Sequence, residues 1–302
     1  MRVMVTGASG FLGYHLVSSL EKCGCEVMAV FRKSPITFEK ATCTHCDLGD
    51  ATQTRELLAK WQPSHIVHTA AVTSTATCEA QPEAALRDNF ASTQNIIQAA
   101  NEVFREKPFF VLISTDLVFD GKKGGYTEND QPNPIMVYGR TKRAAEQAVE
   151  LSYEADWAIV RSALIYGSPT PLGRGGFLKW LLEDLRRGKC KLFTDEYRSP
   201  IAVNELCWLI VYLIKTHQTG LWHAGGAEKL SRYEIGVKVA EAFGLPASNI
   251  EPALLVEEQQ NLPAPRPQDV SLDITKARTL LGFAPRALSE NLADLAQSYP
   301  TS

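Results

Sequence analysis

The chain has 302 residues, of which 45% are hydrophobic and 22% charged, and its formal net charge is −3 at pH 7. This length is enough for one large domain or for two modest ones, each with a hydrophobic core. The near-neutral balance, without a basic block, argues against nucleic acid or a membrane surface as a partner.

The chain opens with MRVMVTG, which reads as a strand and carries no export signal. The longest apolar stretch, residues 207–214, is too short to span a bilayer. Seven scattered cysteines suit reduced thiols, so we expect a cytoplasmic protein. Cys43 and Cys46 have the spacing of half a zinc site, but no second pair follows, and we expect no metal.

In the first half of the chain, short apolar runs alternate with amphipathic segments. Strands are predicted at 2–6, 26–31, 65–70, 109–114 and 157–162, and helices near 11–23, 53–60, 83–105 and 138–152. This alternation indicates an α/β fold with a doubly wound parallel sheet, covered by helices on both faces. Such sheets bind ligands at the carboxyl ends of their strands, where Ser114 and Thr115 lie, and Ser114 is expected at a cofactor.

The loop VTGASGFLG joins the first predicted strand to the first predicted helix and spaces Gly7, Gly10 and Gly13 as G-x-x-G-x-x-G. Glycine lets the backbone turn tightly and approach a pyrophosphate, which the helix N-terminus stabilises. This strand–loop–helix context predicts a dinucleotide-binding domain of the Rossmann type. The other loop residues expected at the cofactor are Ser9, Phe11 and Leu12.

The end of the second predicted strand bears on the choice of cofactor. An acid there would hold a ribose 2′-hydroxyl and repel a 2′-phosphate, but this chain has Arg32 and Lys33. These cations should attract the phosphate, which favours NADPH over NADH, and the alternative interpretation is a solvated basic turn. Asp47 and Leu48, after the third strand, are expected beside the adenine.

Tyr138 and Lys142, in VYGRTK, lie one helical turn apart on the same helix face. Reduction of a ketone requires a hydride on carbon and a proton on oxygen. A phenol is a poor partner for this proton near pH 7 unless a nearby cation favours its ionised form, and Lys142 supplies that cation. With the Thr115 hydroxyl holding the substrate oxygen, Tyr138 would be the general acid in reduction and the base in the reverse direction.

After about residue 167, a glycine- and proline-rich stretch precedes a predicted helix, and another helix is predicted near 231–243. We therefore divide the chain into a dinucleotide-binding domain, 1–166, and a smaller C-terminal α/β substrate domain, 167–302. Segment 203–215 is expected to pack back on the first domain, so that the second consists mainly of 167–202 and 216–302.

The motifs TGASGFLG, HTAA, STDLVFDG and VYGRTK together resemble the extended short-chain dehydrogenase/reductases. STDLVFDG, DEYRSP and PRPQDVSLD resemble the dTDP-4-dehydrorhamnose reductase branch, and the resemblance runs from residue 2 to about 285. It implies a dinucleotide domain followed by a sugar-nucleotide domain, with Thr115, Tyr138 and Lys142 as the catalytic triad. It also implies that Ala70, Ala71, Asn89 and Leu164 lie at the cofactor; the alternative interpretation of Asn89 is an ordinary polar residue of a helix.

Leu117 bears on the type of reaction. Sugar-nucleotide dehydratases of the superfamily have Thr-Asp-Glu where this chain has Thr115, Asp116 and Leu117, and the glutamate removes a proton alpha to a transient ketone. Leucine performs no acid or base chemistry, so the sequence favours simple reduction over elimination. Asp116 is then expected either to bond a sugar hydroxyl or to fix a turn.

The chain departs from the rhamnose-pathway enzymes at two positions. Those enzymes usually show a tyrosine at the position of Leu117 and a tryptophan at that of Leu164, both near the sugar nucleotide. The pocket surface is therefore expected to differ. The candidates for compensating contacts with substrate are Phe177, Trp180 and Arg198.

The first hypothesis is an NADPH-preferring reductase of a 4-keto-6-deoxy sugar nucleotide, with Arg174, Lys179 and Arg266 as candidates for binding the substrate diphosphate. One alternative is an NAD-dependent sugar-nucleotide epimerase. Another is a non-catalytic, NADP-binding regulatory subunit resembling that of a methionine adenosyltransferase. A homodimer is expected by analogy with the superfamily.

Overall fold

A computed structural model describes residues 1–188 and 190–299. Lys189 and residues 300–302, which fall in the predicted second domain, lie outside the described residues. The strands are β1 (Arg2–Thr6), β2 (Glu26–Phe31), β3 (Thr42–His45), β4 (His65–His68), β5 (Phe109–Thr115), β6 (Trp157–Ser162), β7 (Ile165–Tyr166), β8 (Cys190–Phe193), β9 (Tyr197–Arg198), β10 (Ile201–Ala202), β11 (Gly220–Ala224), β12 (Leu230–Ser231) and β13 (Ile250–Ala253). The helices are α1 (Phe11–Lys22), α2 (Ala51–Trp61), α3 (Thr75–Ala80), α4 (Pro82–Leu86), α5 (Ser92–Val103), α6 (Val137–Ser152), α7 (Gly176–Arg187), α8 (Val203–Thr216), α9 (Arg232–Ala242), α10 (Leu255–Glu258), α11 (Thr275–Leu281) and α12 (Leu288–Ser298).

Seven parallel strands form the central sheet in the order β11-β6-β5-β4-β1-β2-β3. The chain winds outward from β1 in one direction through β2 and β3, and in the other from β4 to β11. The predicted doubly wound parallel sheet is therefore confirmed. Because the winding reverses between β1 and β4, the carboxyl ends of these strands border a crevice of the kind that binds ligands.

Helices cover both faces of this sheet because its strands are apolar on both sides. Val3 and Val5 of β1 belong to one core, which includes residues of α1 and α8. Met4 belongs to the core on the opposite face, together with residues of α2, α5 and α6. This alternation follows from the two-residue period of a strand. Across 1–188 and 190–299, no helix is both long and apolar enough to cross a bilayer.

A third core lies outside the sheet and is built from α7, α9, α12 and the short strand β8. Its apolar residues include Leu181, Leu192, Ile235 and Leu292, all buried. This smaller unit corresponds to most of the predicted substrate domain.

The boundary predicted for the second domain needs a correction. Strand β11 lies within 216–302 but pairs with β6 at the edge of the central sheet. Trp222 of β11 and Leu281 of α11 are both buried in the core that α1 and α8 share with the sheet. The chain therefore returns to the first unit twice after residue 203, through α8–β11 and through α11.

The predicted helix 83–105 is interrupted. A π-helical turn, Arg87–Ala91, separates α4 from α5 and carries both Asp88 and Asn89. Such turns often occur at functional sites.

Candidate active site

A cleft of about 970 Å³ lies at the carboxyl edge of the central sheet and is bounded on its far side by residues of the smaller unit. The predicted site residues that line it are Gly7, Ser9, Gly10, Phe11, Leu12, Gly13, Arg32, Lys33, Asp47, Leu48, Ala70, Ala71, Ser114, Thr115, Asp116, Leu117, Tyr138, Lys142, Leu164, Arg174, Phe177, Lys179, Trp180 and Arg198. Asn89 does not line the cleft.

The glycine loop brings three backbone segments into close contact. Gly7 has φ +67, which favours glycine, and a Cβ there would lie 2.8 Å from the backbone of Ala70 after β4. The N–H of Gly10 donates to the Gly7 carbonyl at 2.8 Å, and α1 begins at the next residue. Gly10 and the first residues of α1 line the cleft, and no side chain caps this helix end, so the N-terminus of α1 is open to the cleft, as a pyrophosphate requires.

Arg32 is an ion-paired residue and not part of a solvated basic turn. Its Nη1 and Nη2 donate to Oδ1 and Oδ2 of Asp88 at 2.5 and 2.7 Å. Arg87 bridges Asp47 and Asp88: its Nη2 donates to Asp47 Oδ2 at 2.5 Å, and its Nη1 donates to Asp88 Oδ1 at 2.9 Å. Lys33 beside Arg32 is exposed. The sequence analysis missed Asp88 because this acid lies 56 residues away from Arg32.

Asn89 is fully buried, and its hydrogen bonds explain why it does not face the cleft. Its Oδ1 accepts from the Val72 N–H at 2.7 Å, and its Nδ2 donates to the Val72 carbonyl and to Thr141 Oγ1, each at 3.1 Å. Asn89 thus ties the segment after β4, which carries Ala70 and Ala71, to helix α6. Asn89 was expected at the cofactor; its amide is used for these contacts, and it reaches the cleft only through the segment that it holds.

The three predicted catalytic residues converge on the centre of the cleft. Tyr138 and Lys142 lie in the first two turns of α6, with Tyr138 8% and Lys142 2% exposed. Thr115 ends β5, and its hydroxyl donates to Asp116 Oδ1 at 3.1 Å. The start of α6 is fixed by Glu79, whose Oε1 accepts from the Val137 N–H at 2.7 Å.

Burial and the charge of Asp116 raise the pKa of the Tyr138 phenol, although a hydrogen bond with Thr115 opposes this shift. Burial lowers the pKa of Lys142 to about 8, against the nearby charge of Glu146. The phenol is therefore protonated across the neutral range, which suits a proton donor. The ammonium group is charged below about pH 8.

Glu146, one turn beyond Lys142 in α6, is a site residue that the sequence analysis missed. It is fully buried and accepts from Ser114 Oγ at 2.5 Å and from Arg161 Nε and Nη2 at 3.0 and 2.9 Å. Ser114 is thereby held from behind at the end of β5. The spacing Tyr138-x₃-Lys142-x₃-Glu146, a single helix face, is the signal that points to it.

At the far end of the cleft, three arginines surround one buried carboxylate. Glu196 accepts from Arg198 Nη2 at 2.9 Å, from Arg232 Nε at 3.1 Å and from Arg266 Nη1 at 3.2 Å. Burial would raise the pKa of Glu196, but the three cations hold it at about 2. Arg198 and Arg232 line the cleft, whereas Arg266, predicted to face a diphosphate, reaches Glu196 from outside it.

Two atoms at this end have no hydrogen-bond partner among the described residues, and both are buried. One is Asp116 Oδ2, which lies 4.0 Å from Arg198 Nε, and the other is Arg232 Nη1. Burial raises the pKa of Asp116 despite Arg198. A bound group that both donates and accepts hydrogen bonds would satisfy both atoms. Arg232 gives no local sequence signal, because it is simply the first residue of α9.

The mouth of the cleft is aromatic and basic. The Arg232 guanidinium lies 4.7 Å from the centre of the Phe177 ring, and Trp180 is 45% exposed. Arg174 and Lys179 line the same part. Within the described residues, no cluster of three His, Cys, Asp or Glu side chains is placed to hold a metal ion.

A model of the family described as "RmlD substrate binding domain" matches residues 1–300. The probable low-salt glycan biosynthesis reductase Agl14 of Haloferax volcanii is 30% identical over 99% of this chain and 98% of its own length. Methionine adenosyltransferase 2 subunit beta of Rattus norvegicus is 29% identical over 92% of this chain and 82% of its own length. The crystal structure of dTDP-4-dehydrorhamnose reductase from Bacillus anthracis in complex with NADP is 26% identical, with a TM-score of 0.81, over 98% of this chain and 99% of that chain.

Proposed function

The chain belongs to the RmlD substrate-binding-domain family, and from this premise we propose that it is an NADPH-preferring reductase of a 4-keto-6-deoxy sugar nucleotide. The observation that carries the proposal is the buried set Thr115, Tyr138 and Lys142 in one cleft, next to Leu117. Leu117 has no ionisable group, so this position supplies no base that could remove a proton from a substrate carbon. Two similar proteins support the reaction type, since one is described as a reductase and the other as a dTDP-4-dehydrorhamnose reductase with NADP.

The residues at the carboxyl ends of β1 and β2 fit a dinucleotide. The close approach of Gly7 to Ala70 leaves no space for a Cβ, and the N-terminus of α1 is open to the cleft. The glycine loop would hold the pyrophosphate, and Arg32 and Lys33 the 2′-phosphate. When bound, NADPH supplies the hydride that reduces the sugar C4.

Tyr138 gives its phenolic proton to the substrate oxygen as the C4 carbonyl becomes an alcohol. The Thr115 hydroxyl donates a hydrogen bond to the same oxygen and thereby orients the carbonyl. The charged form of Lys142 stabilises the phenolate that Tyr138 leaves behind, through attraction between opposite charges in a buried site. Proton uptake by Tyr138 from solvent completes the cycle.

The far end of the cleft matches the rest of such a substrate. A sugar hydroxyl that accepts from Arg232 and donates to Asp116 Oδ2 would satisfy both unpartnered atoms. The diphosphate would be attracted by the positive charges of Arg198 and Arg232 and, at the mouth of the cleft, by those of Arg174 and Lys179. The Trp180 ring, partly exposed there, offers a surface on which a base stacks.

The experiment that tests the proposal is absorbance at 340 nm with NADPH and freshly prepared dTDP-4-keto-6-deoxy sugar. We expect NADPH to be consumed in a one-to-one ratio with substrate. Parallel assays with the UDP-linked keto sugar would show whether the nucleotide is recognised. Tight NADPH binding without consumption with either substrate would contradict the proposed reaction.

The second candidate is a regulatory subunit that binds NADP without turnover. The observation that favours it is the 29% identity with methionine adenosyltransferase 2 subunit beta. The test is co-purification with a methionine adenosyltransferase catalytic subunit, followed by the synthetase rate with and without this chain. A stable complex with an altered rate, together with no NADPH consumption, would favour this candidate over the reductase.

The pH dependence of the reaction follows from the lowered pKa of Lys142. Because the folded protein holds that pKa at about 8, below the ordinary 10.5, the ammonium charge is present below pH 8 and lost above it. We expect kcat/KM to be flat from about pH 6 to 7.5 and to fall up to tenfold per pH unit above about pH 8, since this ratio reports on the free enzyme. Initial rates of NADPH consumption between pH 6 and 10 measure it.

The control for this profile is Lys142→Arg, which keeps a cation at every pH tested. Its residual kcat/KM should show no fall near pH 8. A wild-type profile that stays flat to pH 10 would show that the charge on Lys142 does not limit the reaction.

A further inference from the structure

At the cofactor end of the cleft, Asp88 forms an ion pair with Arg32, the residue expected to bind the 2′-phosphate. Both Asp88 oxygens accept from Arg32, one from Nη1 at 2.5 Å and the other from Nη2 at 2.7 Å. Arg32 and Asp88 both line the cleft, with 30% and 13% of their side chains exposed. A guanidinium has five N–H donors, so Nε–H and one donor on each terminal nitrogen remain.

The charges around Arg32 cancel. Arg32 and Arg87 carry two positive charges, and Asp47 and Asp88 carry two negative ones, all within one connected set of ion pairs. Burial would raise the pKa of Asp88, but its hydrogen bond and ion pairs with the two arginines hold it below the usual range. Asp88 is therefore ionised at neutral pH. The remaining cation, Lys33, is exposed and screened by solvent.

A 2′-phosphate meets Asp88 in either of two geometries. A phosphate that takes the Nη1–Nη2 end of Arg32, which suits two-point binding, has to displace the Asp88 carboxylate. A phosphate that accepts from the Nε edge of Arg32 leaves Asp88 in place. The phosphate and the Asp88 carboxylate then lie on two edges of the same guanidinium and repel each other, and solvent screens this repulsion poorly because Asp88 is mostly buried. In both geometries Asp88 weakens phosphate binding, whereas NAD(H), which lacks this phosphate, is unaffected.

We propose that Asp88 is a specificity-determining residue of the cofactor site, which competes with the 2′-phosphate of NADP(H) for Arg32 and so limits the preference for NADP(H) over NAD(H). The inference rests on the proposed function only in requiring that the cleft binds a nicotinamide dinucleotide. The π-helical turn Arg87–Ala91 orients the two side chains, with Asp88 toward the cleft and Asn89 toward the interior.

The test is isothermal titration calorimetry of the full chain with NADP⁺ and with NAD⁺, comparing wild type with Asp88→Asn. Asparagine keeps the size of the side chain and one acceptor oxygen for Arg32 but removes the charge. We expect the ratio of the NAD⁺ Kd to the NADP⁺ Kd to rise at least about fivefold, with the NAD⁺ Kd changing less than about twofold. The rise should shrink between 0.05 and 0.5 M salt.

The matched control is Glu83→Gln, which removes one negative charge from the neighbouring exposed helix α4, outside the cleft. It should leave both dissociation constants unchanged. Asp88→Ala is the second variant and should raise the ratio as Asp88→Asn does. In an Arg32→Ala background the effect of Asp88→Asn should be much smaller, because the two substitutions remove the same interaction.

Several outcomes would overturn the inference. If Asp88→Asn and Asp88→Ala leave the ratio unchanged, Asp88 does not compete with the phosphate. If they lower the ratio, Asp88 instead supports Arg32 in phosphate binding. The ratio is measured within each protein, so a reduced folded fraction does not alter it. Wild-type protein that binds neither dinucleotide would defeat the proposed function as well, whereas binding and NADPH consumption with an unchanged ratio would defeat this inference alone.

Discussion

Tyr138→Phe should lower kcat for NADPH-dependent reduction by at least about a hundredfold, because it removes the group that protonates the substrate oxygen. The phenol is 8% exposed and lies in the cleft with Thr115 and Lys142. Its ring packs with Cys78, Ala85 and Met136, and phenylalanine keeps that packing. The dissociation constant of NADP⁺ should therefore stay within about twofold of wild type. Single-turnover consumption of NADPH at 340 nm and calorimetry with NADP⁺ measure the two quantities.

The matched control for this substitution is Tyr126→Phe. Tyr126 is also buried, and its hydroxyl donates to Asp120 at 2.7 Å, but it does not line the cleft. Its loss should cost about 1 kcal/mol of stability and leave kcat unchanged. A Tyr138→Phe protein that keeps more than a tenth of wild-type kcat would show that another group delivers the proton.

Regular features of the sequence predicted the sheet well. The strands predicted at 2–6, 26–31 and 157–162 coincide with β1, β2 and β6. These strands are buried on both faces, so their apolar runs are continuous and end at polar residues. The glycine loop and the Tyr–Lys pair were also readable, because each depends on spacing within one turn or one helix.

Contacts between distant segments were not readable. The two hydrogen bonds between Arg32 and Asp88 join residues that are 56 positions apart in the sequence, and Arg266 donates to Glu196, 70 positions away. No local period relates such residues, since the fold alone brings them together. The place of β11 at the edge of the central sheet was not predicted for a related reason: the sequence of a strand does not by itself indicate its partner, here β6.

Asn89 shows a second kind of limit. The resemblance implies an asparagine near the cofactor, and in the structure Asn89 is buried outside the cleft and hydrogen-bonded to the Val72 backbone. A buried amide that organises a ligand-binding segment and one that touches the ligand have the same residue type and helix position. Only the direction of the side chain separates them, and that direction depends on the π-helical turn.

Glu146→Ala should lower the free energy of unfolding by about 3–5 kcal/mol, because it leaves a buried cation without its counter-ion. Arg161 is 1% exposed, and two of its nitrogens donate to Glu146. Its Nη1 has no partner among the described residues, and the Phe119 ring, 5.1 Å from its Cζ, then remains as its principal stabilising contact. The midpoint of urea unfolding, followed by far-ultraviolet circular dichroism, measures the change.

The matched control is Glu150→Ala, one turn further along α6. Glu150 is 28% exposed and pairs with Arg143 alone, so its loss should cost less than about 1 kcal/mol. Burial would raise the pKa of Glu146, but Arg161 outweighs burial and holds it below 4.5, so its contribution is present at neutral pH and lost on acidification. The difference between the two variants should therefore narrow as the pH falls below 4.5. If both variants lose equal stability at pH 7, the buried pair of Glu146 and Arg161 contributes no more than the exposed pair of Glu150 and Arg143.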